Sequence, residues 1–324
     1  MNTIRAVVVD HNKANHITLG HVATPIAQPS QAIVQVEAIA LNPGDFLSTS
    51  GRENGALVGW DLAGTVLQAA ADGSGPRIGS RVVGLIVTGG WSNEAPASGA
   101  WAEQVAVPTT QLAVLPDTVS FAQAATLPIA GLTALYALEK GGSLWQQRVL
   151  ITAANGGVGD FAVQLAHHAG AWVVGTTRTA QRAISVRANG AAEVCIGDTI
   201  AAALQFGPYH LILDSIGGQT LASALSMLAT DGLCVTIGFA GAPEVTFNLF
   251  SLFQPGGTSL YALALFHEFL HRPAAPDLAR LVQAVADGSL IPHIEVERSW
   301  DEIEDIAQKM ANRAFSGRVV LRVR

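Results

Sequence analysis

The chain has 324 residues, of which 49% are hydrophobic and 13% are charged, so it can bury a large core, and its length suggests two domains. The formal net charge of −7 gives no attraction to nucleic acid phosphates or anionic membrane surfaces, which argues against both as partners. The apolar runs are also interrupted well before the roughly 18 residues that a membrane span requires, so no transmembrane helix is expected.

The first residues predict a β-strand and not a signal peptide. The apolar stretch at 4–9 is too short to be the hydrophobic core of a signal peptide, so we expect a cytoplasmic location. Short apolar runs separated by Gly, Pro, Asn and Asp continue to about residue 120, as at 32–41, 62–69 and 81–87. This punctuation predicts a β-rich domain, with an exposed loop at 91–100.

From about residue 121 the pattern changes to alternating helices and strands. The predicted strands are 148–153, 172–176, 193–196, 210–214, 232–237, 260–266 and 318–323. The predicted helices are 157–169, 179–188, a segment with Leu221, Ala224, Leu225 and Leu228 at helical spacing, and 276–286. This alternation predicts a doubly wound parallel sheet with crossover helices, and hence an α/β fold class.

A glycine turn lies between the strand at 148–153 and the helix at 157–169. Residues 149–159 read Val-Leu-Ile-Thr-Ala-Ala-Asn-Gly-Gly-Val-Gly, one glycine fewer than the usual dinucleotide fingerprint. Such a turn lets the backbone approach a pyrophosphate, whose charge the helix N-terminus stabilises. The residues predicted to bind the cofactor here are Ala154, Asn155, Gly156, Gly157, Val158 and Gly159. A tight turn that binds nothing is the alternative.

The residues at the end of the next predicted strand indicate whether NAD or NADP is bound. NAD enzymes place Asp or Glu about 20 residues past the first glycine, to accept hydrogen bonds from the ribose. No acidic residue occurs between Asp160 and Glu193 here. That stretch contains Thr177, Arg178, Arg182 and Arg187 instead. Because guanidinium binds phosphate, Thr177, Arg178 and Arg182 predict an NADP(H) site. Arg187 is assigned to an exposed helix face, which is also the alternative reading for the other arginines.

Several motifs in this order resemble the medium-chain dehydrogenase/reductase superfamily, in its zinc-free quinone oxidoreductase and enoyl reductase branch. They are residues 41–45 (Leu-Asn-Pro-Gly-Asp), 59–64 (Gly-Trp-Asp-Leu-Ala-Gly), 124–128 (Ala-Ala-Thr-Leu-Pro), 131–134 (Gly-Leu-Thr-Ala), the glycine turn, 214–218 (Asp-Ser-Ile-Gly-Gly) and 317–321 (Gly-Arg-Val-Val-Leu). The resemblance implies a β-rich GroES-like catalytic domain from 1–120 and 268–324, around a Rossmann-type NADP-binding domain at 121–267. It also implies a homodimer.

The same resemblance assigns roles to individual residues. Asn42 and Thr133 are expected at the nicotinamide end of the cofactor, as catalytic residues in a positioning role. Gly238 and Phe239 are expected to pass close to it. Arg182 and Arg313 match two basic residues that bind the NADP phosphate. Asn and Thr also cap turns, and Arg also pairs at surfaces, so an ordinary structural role is the alternative for each.

The chain departs from its relatives at several positions. Zinc-dependent members have a Cys at the place of Pro43 or Gly44, and a four-cysteine lobe after residues 81–83, so no metal site is expected. A tyrosine of many quinone reductases, a proposed proton donor, is replaced by Leu47, which leaves the donor unassigned. An aromatic residue beside the ribose phosphate is replaced near Gly197. Finally, Asp160 places a carboxylate near the pyrophosphate, although acidic residues in a first helical turn are common.

The expected reaction is hydride transfer to a small electrophilic substrate, a quinone or an α,β-unsaturated carbonyl compound. Quinone, free enone and enoyl thioester all remain open. The predicted cleft walls are Phe46, Leu47, Trp60 and Phe239, each of which could instead be core. A second hypothesis is a nucleotide-binding sensor or structural protein without turnover.

Residues 267–271, His-Glu-Phe-Leu-His, match the metalloprotease pattern HExxH and give a third, remote hypothesis. The predicted strand before it and Pro273 after it argue against the helix that this pattern needs. The two cysteines, Cys195 and Cys234, are predicted to be small buried hydrophobic residues of strand-like runs. Two separate thiols can form neither a disulfide framework nor a four-sulfur metal site.

Overall fold

The computed structural model describes residues 2–13, 15–86 and 99–324. The chain divides into two compact units, Met1–Leu132 with Phe266–Arg324, and Thr133–Leu265. The domain boundaries inferred from the sequence, at 120/121 and 267/268, stay a prediction. The predicted loop at 91–100 lies outside the described residues except for its last two.

The strands are β1 (Thr3–Val9), β2 (Ile17–Ala23), β3 (Gln31–Leu41), β4 (Asp61–Gln68), β5 (Arg81–Leu85), β6 (Gln104–Pro108), β7 (Leu112–Val114), β8 (Arg148–Ile151), β9 (Trp172–Thr177), β10 (Glu193–Ile196), β11 (Tyr209–Asp214), β12 (Leu228–Thr236), β13 (Ser259–Ala262), β14 (Ile294–Ser299) and β15 (Arg318–Arg322). The α-helices are α1 (Pro43–Leu47), α2 (Phe121–Ala125), α3 (Leu132–Glu139), α4 (Gly157–His168), α5 (Ala180–Ala188), α6 (Gly218–Leu225), α7 (Phe250–Phe253), α8 (Leu265–Glu268), α9 (Ala275–Ala286) and α10 (Ile303–Ala311). A π-helical turn, Leu127–Gly131, joins α2 to α3.

The first unit is built on β-sheets. Strands β1 and β2 form an antiparallel pair, and a larger sheet has the order β14-β15-β3-β4-β5-β7, with β6 also paired to β3. The long strand β3 lies inside this sheet, and most of its side chains are buried, as its nearly continuous apolar sequence requires. Trp101 and Trp300 are the largest side chains of the core beneath it.

The second unit is a six-stranded parallel sheet in the order β10-β9-β8-β11-β12-β13. The chain runs outward from β8 to β10, then returns to β11 and runs outward on the other side. The order therefore reverses between β8 and β11, and in sheets of this kind ligands bind at the carboxyl ends of the strands beside such a switch point. The predicted α/β fold, a β-rich unit with a doubly wound unit, is confirmed.

Two predicted elements were wrong in detail. Leu228 is not part of the helix that holds Leu221, because α6 ends at Leu225 and Leu228 begins β12, where it pairs with Tyr209. The predicted strand at 260–266 ends at Ala262, and α8 starts at Leu265. In both cases an apolar run continues across a change of element, so periodicity alone could not locate the boundary. No helix of the described residues is long and apolar enough to span a membrane.

Candidate active site

The glycine turn leaves the carboxyl end of β8, the first strand beside the switch point. Gly156 is the N-cap of α4, and no N-cap side chain accepts a hydrogen bond from the first backbone N–H groups of the helix. The first-turn N–H groups of a helix have no partner within the helix, and they carry the positive end of its dipole. The turn predicted from the sequence therefore presents backbone donors at the edge of the sheet where a pyrophosphate would bind.

Close backbone packing explains which residues of this turn must be small. A Cβ built on Gly159 would lie 2.3 Å from the Ala153 carbonyl oxygen, so no larger residue fits without moving the backbone. Ala153 itself has a φ of 46°, in the left-handed region that favours glycine. The missing glycine of the fingerprint is thus replaced by an alanine held in a glycine conformation.

The carboxylate of Asp160 is engaged within its own unit. Its Oδ1 accepts a hydrogen bond of 2.6 Å from Asn189 Nδ2, and its Oδ2 accepts one of 3.1 Å from Gln164 Nε2. Asp160 is also buried. These contacts give the side chain a structural partner on α5, so it ties α4 to the end of α5.

The end of β9 carries hydroxyl and guanidinium groups, as the sequence indicated. Thr177 is buried, and its Oγ1 lies 2.8 Å from Asn155 Oδ1 in the glycine turn. Arg178 is exposed and Arg182 is half-buried on the first turn of α5. Neither guanidinium forms an ion pair within the described part of the chain. The structure thus brings Asn155, Thr177 and two arginines to neighbouring positions at the edge of the sheet.

A second group of contacts joins the strands on the two sides of the switch point. Thr152 Oγ1 donates a 2.8 Å hydrogen bond to Asp214 Oδ1, at the end of β11. The other carboxylate oxygen accepts a 2.7 Å bond from the Gly217 backbone N–H. Burial raises the pKa of Asp214, while these hydrogen bonds act in the opposite direction. Asp214 therefore fixes the loop after β11 to the strand that precedes the glycine turn.

The loop after β12 is attached to the loop after β11. Ala240 N donates to Ser215 O over 3.0 Å, and Gly241 N donates to Ile216 O over 2.7 Å. Gly238 is half-buried, whereas the Phe239 side chain is 51% exposed. The two residues expected near the nicotinamide therefore lie on a backbone segment that the neighbouring loop holds in place.

A buried polar network surrounds Asn42 in the first unit. Its Nδ2 lies 2.9 Å from Asp61 Oδ2 and 3.2 Å from Asp45 Oδ2, while its Oδ1 accepts a 2.9 Å bond from Arg318 Nη1. Arg318 Nη2 also contacts Asp61 Oδ2 at 3.3 Å, and the Ile129 backbone N–H donates to Asp61 Oδ1. All four side chains are at most 5% exposed. We call these residues the Asn42 network.

The remaining predicted residues occupy separate places. Thr133 is buried in the first turn of α3, within the second unit. Arg313 is exposed just beyond α10 of the first unit, with a φ of 55°. Of the predicted cleft walls in the first unit, Phe46 packs against Trp101 and Trp60 against Phe266, whereas Leu47 is 55% exposed.

The HExxH segment does not form a continuous helix. Helix α8 ends at Glu268, before the second histidine of the pattern. The His267 and His271 rings are both exposed, and their Nε2 atoms lie 3.3 Å apart, while Glu268 is buried. No group of three or more His, Cys, Asp or Glu side chains that could hold a metal occurs among residues 2–13, 15–86 and 99–324.

The fold and the site define a class, the two-domain medium-chain dehydrogenases and reductases. Residues 28–117 match the family model of the alcohol dehydrogenase GroES-like domain, and residues 157–282 match that of the zinc-binding dehydrogenases. The GroES-like character predicted for the β-rich domain is thereby confirmed.

Individual relatives narrow this class. A quinone oxidoreductase of Salmonella typhimurium is 33% identical over 249 residues, 73% of each chain. A 2-methylene-furan-3-one reductase of Solanum lycopersicum is 34% identical over 155 residues, 46% of this chain and 39% of that protein. A mycobacterial structure solved with NADPH is 27% identical, with a TM-score of 0.83 over 98% of this chain and 99% of that one. The chain belongs to the quinone oxidoreductase family.

The residues present do not fit the zinc sites of dehydrogenases in this class. Positions 43 and 44 are Pro and Gly, which have no metal-binding side chain. The two cysteines are free and buried on β10 and β12, as predicted, and burial raises the pKa of both thiols. No step of the reaction is therefore assigned to a metal.

Two features of the site were missed in the sequence. Asp61 and Arg318 were recognised only as parts of family motifs, and Thr152 was given no role. The available signal was the placement of charged residues inside apolar strand sequences, at residues 60–63 and 318–321, because buried charges require partners.

Proposed function

We propose that this protein is an NADPH-dependent oxidoreductase that transfers hydride, without zinc, to a quinone or an α,β-unsaturated carbonyl compound. The observation that carries the proposal is the end of β9, where Thr177, Arg178 and Arg182 stand in place of a carboxylate. A ribose 2′-phosphate would find cationic donors there, whereas the free ribose hydroxyls of NADH would find no acidic acceptor. The mycobacterial relative with bound NADPH supports the same cofactor.

The chain's own residues would bind and orient this cofactor. Bound NADPH supplies the hydride, and the protein supplies position and electrostatics. The turn from Ala154 to Gly159 would hold the pyrophosphate, and Arg178 and Arg182 would hold the 2′-phosphate. Asp214 and Thr152 attach the loop after β11 to the strand before the glycine turn. Gly238 and Phe239 would be positioned through the contacts of their own loop with that loop.

Further contacts belong to the proposal because the family resemblance implies them. Asn42 and Thr133 would meet the nicotinamide end, and Arg313 would be a second phosphate ligand. The residue at the tyrosine position, Leu47, cannot donate a proton. The proton that completes the reaction would then come from solvent or from another group.

The acceptor class is supported by the names of relatives. One is called a quinone oxidoreductase and another reduces 2-methylene-furan-3-one, a conjugated ketone. Both kinds of acceptor carry an electron-poor carbon conjugated to a carbonyl group. The shared chemistry is therefore hydride delivery to a polarised double bond.

The test is a cofactor titration followed by turnover on an acceptor panel. In titrations of the purified protein followed by tryptophan fluorescence, the Kd for NADPH should be at least tenfold lower than the Kd for NADH. NADPH oxidation should depend on a quinone or an enone. NADPH binding without consumption of any acceptor would support the sensor hypothesis. Preference for NADH would overturn the cofactor assignment, and stoichiometric zinc by metal analysis would overturn the zinc-free mechanism.

A homodimer is part of the proposal. Strand β13 lies at the edge of the six-stranded sheet, and its Leu260 is 44% exposed. Unpaired edges with apolar side chains favour pairing with another chain, and most homo-oligomers are twofold symmetric. Sedimentation equilibrium should give twice the 33.6 kDa chain mass, and Leu260→Asp should give the monomer mass. A monomeric wild type would refute this part.

A cytoplasmic location is also proposed. Both cysteines are free thiols in the structure, which suits a reducing compartment. Fractionation of cells that express the tagged protein should recover it with cytoplasmic markers.

A further inference from the structure

The Asn42 network fixes the orientation of one side-chain amide. The oxygen and nitrogen of an amide are distinguished by their partners, since oxygen only accepts and nitrogen only donates. Here the nitrogen lies between the carboxylates of Asp45 and Asp61, and the oxygen lies against the guanidinium of Arg318. The flipped amide would place oxygen against two carboxyl groups and N–H groups against a cation. The observed orientation is therefore the only favourable one.

This orientation decides what Asn42 can offer to a ligand. Both amide hydrogens are directed at carboxyl oxygens, so no donor remains. The oxygen accepts from Arg318 Nη1, and the capping box of α1 also directs the Asp45 backbone N–H at the Asn42 side chain. Asn42 therefore cannot donate a hydrogen bond to an oxygen on which negative charge develops, and its amide oxygen is the polar atom that it can present to a bound molecule.

We propose that Asp61 and Arg318 are positioning residues of the reaction, which lock Asn42 as a hydrogen-bond acceptor toward the bound cofactor or substrate. This inference rests on the proposed function, because it assumes that Asn42 meets a ligand. A planar guanidinium is needed because Nη1 contacts Asn42 while Nη2 contacts Asp61. A lysine ammonium, as a single point charge, cannot reproduce these two contacts in the same geometry.

The groups around Asp61 make the fixed orientation of the Asn42 amide sensitive to pH. Asp61 faces Arg318, Asn42, Asp45 and the Ile129 backbone N–H, and Arg52 adds a positive charge near Asp45. Burial raises the pKa of Asp61 to about 6, while Arg318 and Asn42 act in the opposite direction. Burial, with the Asp61 carboxylate, also raises the pKa of Asp45 well above its usual range. Ionised Asp61 accepts from both Asn42 and Arg318, and its protonation weakens both contacts.

The main test uses Arg318→Lys, with Arg322→Lys as the matched control. Arg322 lies on the same strand, where its exposed side chain forms an ion pair with Glu297. In R318K the kcat of NADPH-dependent acceptor reduction should fall on the order of 100-fold, because a small displacement of a positioning group has an effect of this size. The Kd for NADPH should change less than threefold. Equal kcat values for R318K and R322K would overturn the proposal.

A second variant, Asp61→Asn, tests the pH dependence. The kcat of the wild type should fall as the pH drops through about 6, and D61N should have a low kcat without this acidic limb. A loss of thermal stability in D61N with unchanged kcat and an unchanged pH profile would show a purely structural role.

A third readout does not depend on activity. In ¹⁵N-labelled wild-type protein, the Asn42 NH₂ resonances should be two separate signals that shift as the pH passes through about 6. In R318K and D61N they should move toward the values of solvated amides. Absence of this change would overturn the locked amide. If the resonances behave as expected but no NADPH is oxidised, the proposed function fails while the lock stands.

Discussion

The Thr177 hydroxyl at the end of β9 lies 2.8 Å from the side-chain oxygen of Asn155 in the glycine turn. Because the hydroxyl is the donor, the Asn155 amide nitrogen remains available to a ligand. The contact occupies the place where an NAD enzyme would have a carboxylate for the ribose hydroxyls. It is consistent with the proposed preference for a phosphorylated dinucleotide, in which the flanking arginines would contact the phosphate.

Arg182→Gln should raise the KM for NADPH about 10- to 100-fold, because one charge-assisted hydrogen bond to phosphate contributes roughly 1.5–3 kcal/mol. The KM for NADH should be unchanged. Steady-state kinetics with both cofactors will measure this. Arg187→Gln, an exposed arginine further along α5, is the control and should leave both values unchanged. A similar loss for NADH would contradict a phosphate contact.

Gly159→Ala should impair both folding and cofactor binding. Its Cβ would lie 2.3 Å from the Ala153 carbonyl oxygen, and overpacking of this kind costs about 1–3 kcal/mol. The shift of the turn should also weaken NADPH binding at least about tenfold, as measured by fluorescence titration. Gly156→Ala, with its nearest atom at 3.1 Å, should have a smaller effect. The reverse order of effects would refute the packing argument.

Ala153→Gly should stabilise the protein. At a φ of 46°, alanine pays a steric cost that glycine avoids, and the gain should be about 0.5–1 kcal/mol after the added entropy of the unfolded chain. Urea unfolding will measure the free-energy change. Ala154→Gly, at a buried neighbour outside the left-handed region, should be destabilising. Destabilisation by A153G would mean that the turn relaxes in solution.

Ionisation of Asp61 should work against folding. Its pKa is about 6 in the folded protein, above the usual 3.8, so between these values the native state binds a proton that the unfolded state has lost. The free energy of unfolding should therefore decrease as the pH rises from 4 to 6. Relative to Asp61→Asn, the wild type should lose up to about 1.4 kcal/mol per pH unit in this range. Urea titrations at several pH values will measure both curves, and parallel curves would contradict the raised pKa.

The sequence was informative where local pattern and tertiary structure agree. The strand and helix predicted at 148–153 and 157–169 end within two residues of those in the structure, because the glycine turn separates two clear apolar patterns. The absence of an acidic residue near Thr177 could also be read directly. These features depend on short-range chemistry.

The Asn42 network could not be derived in this way. Asn42, Asp61 and Arg318 lie on separate strands or turns of one sheet, and their contacts depend on the pairing of β3 with β4 and β15. A sequence shows that each residue is polar but gives neither the register nor the partner. For the same reason, the sequence does not indicate that Asn189 donates a hydrogen bond to the carboxylate of Asp160.

The hydrogen bond between Arg318 and Asn42 joins residues that are 276 positions apart. At roughly 5–20 residues per second, a ribosome takes about 15 to 55 s to add the arginine after the asparagine. During this interval Asp61 lacks the guanidinium that contacts it in the folded protein. The contacts of Arg318 with Asn42 and Asp61, and the pairing of β15 with β3, can therefore form only at a late stage of synthesis. A truncated nascent chain would leave Asp61 without its cationic partner.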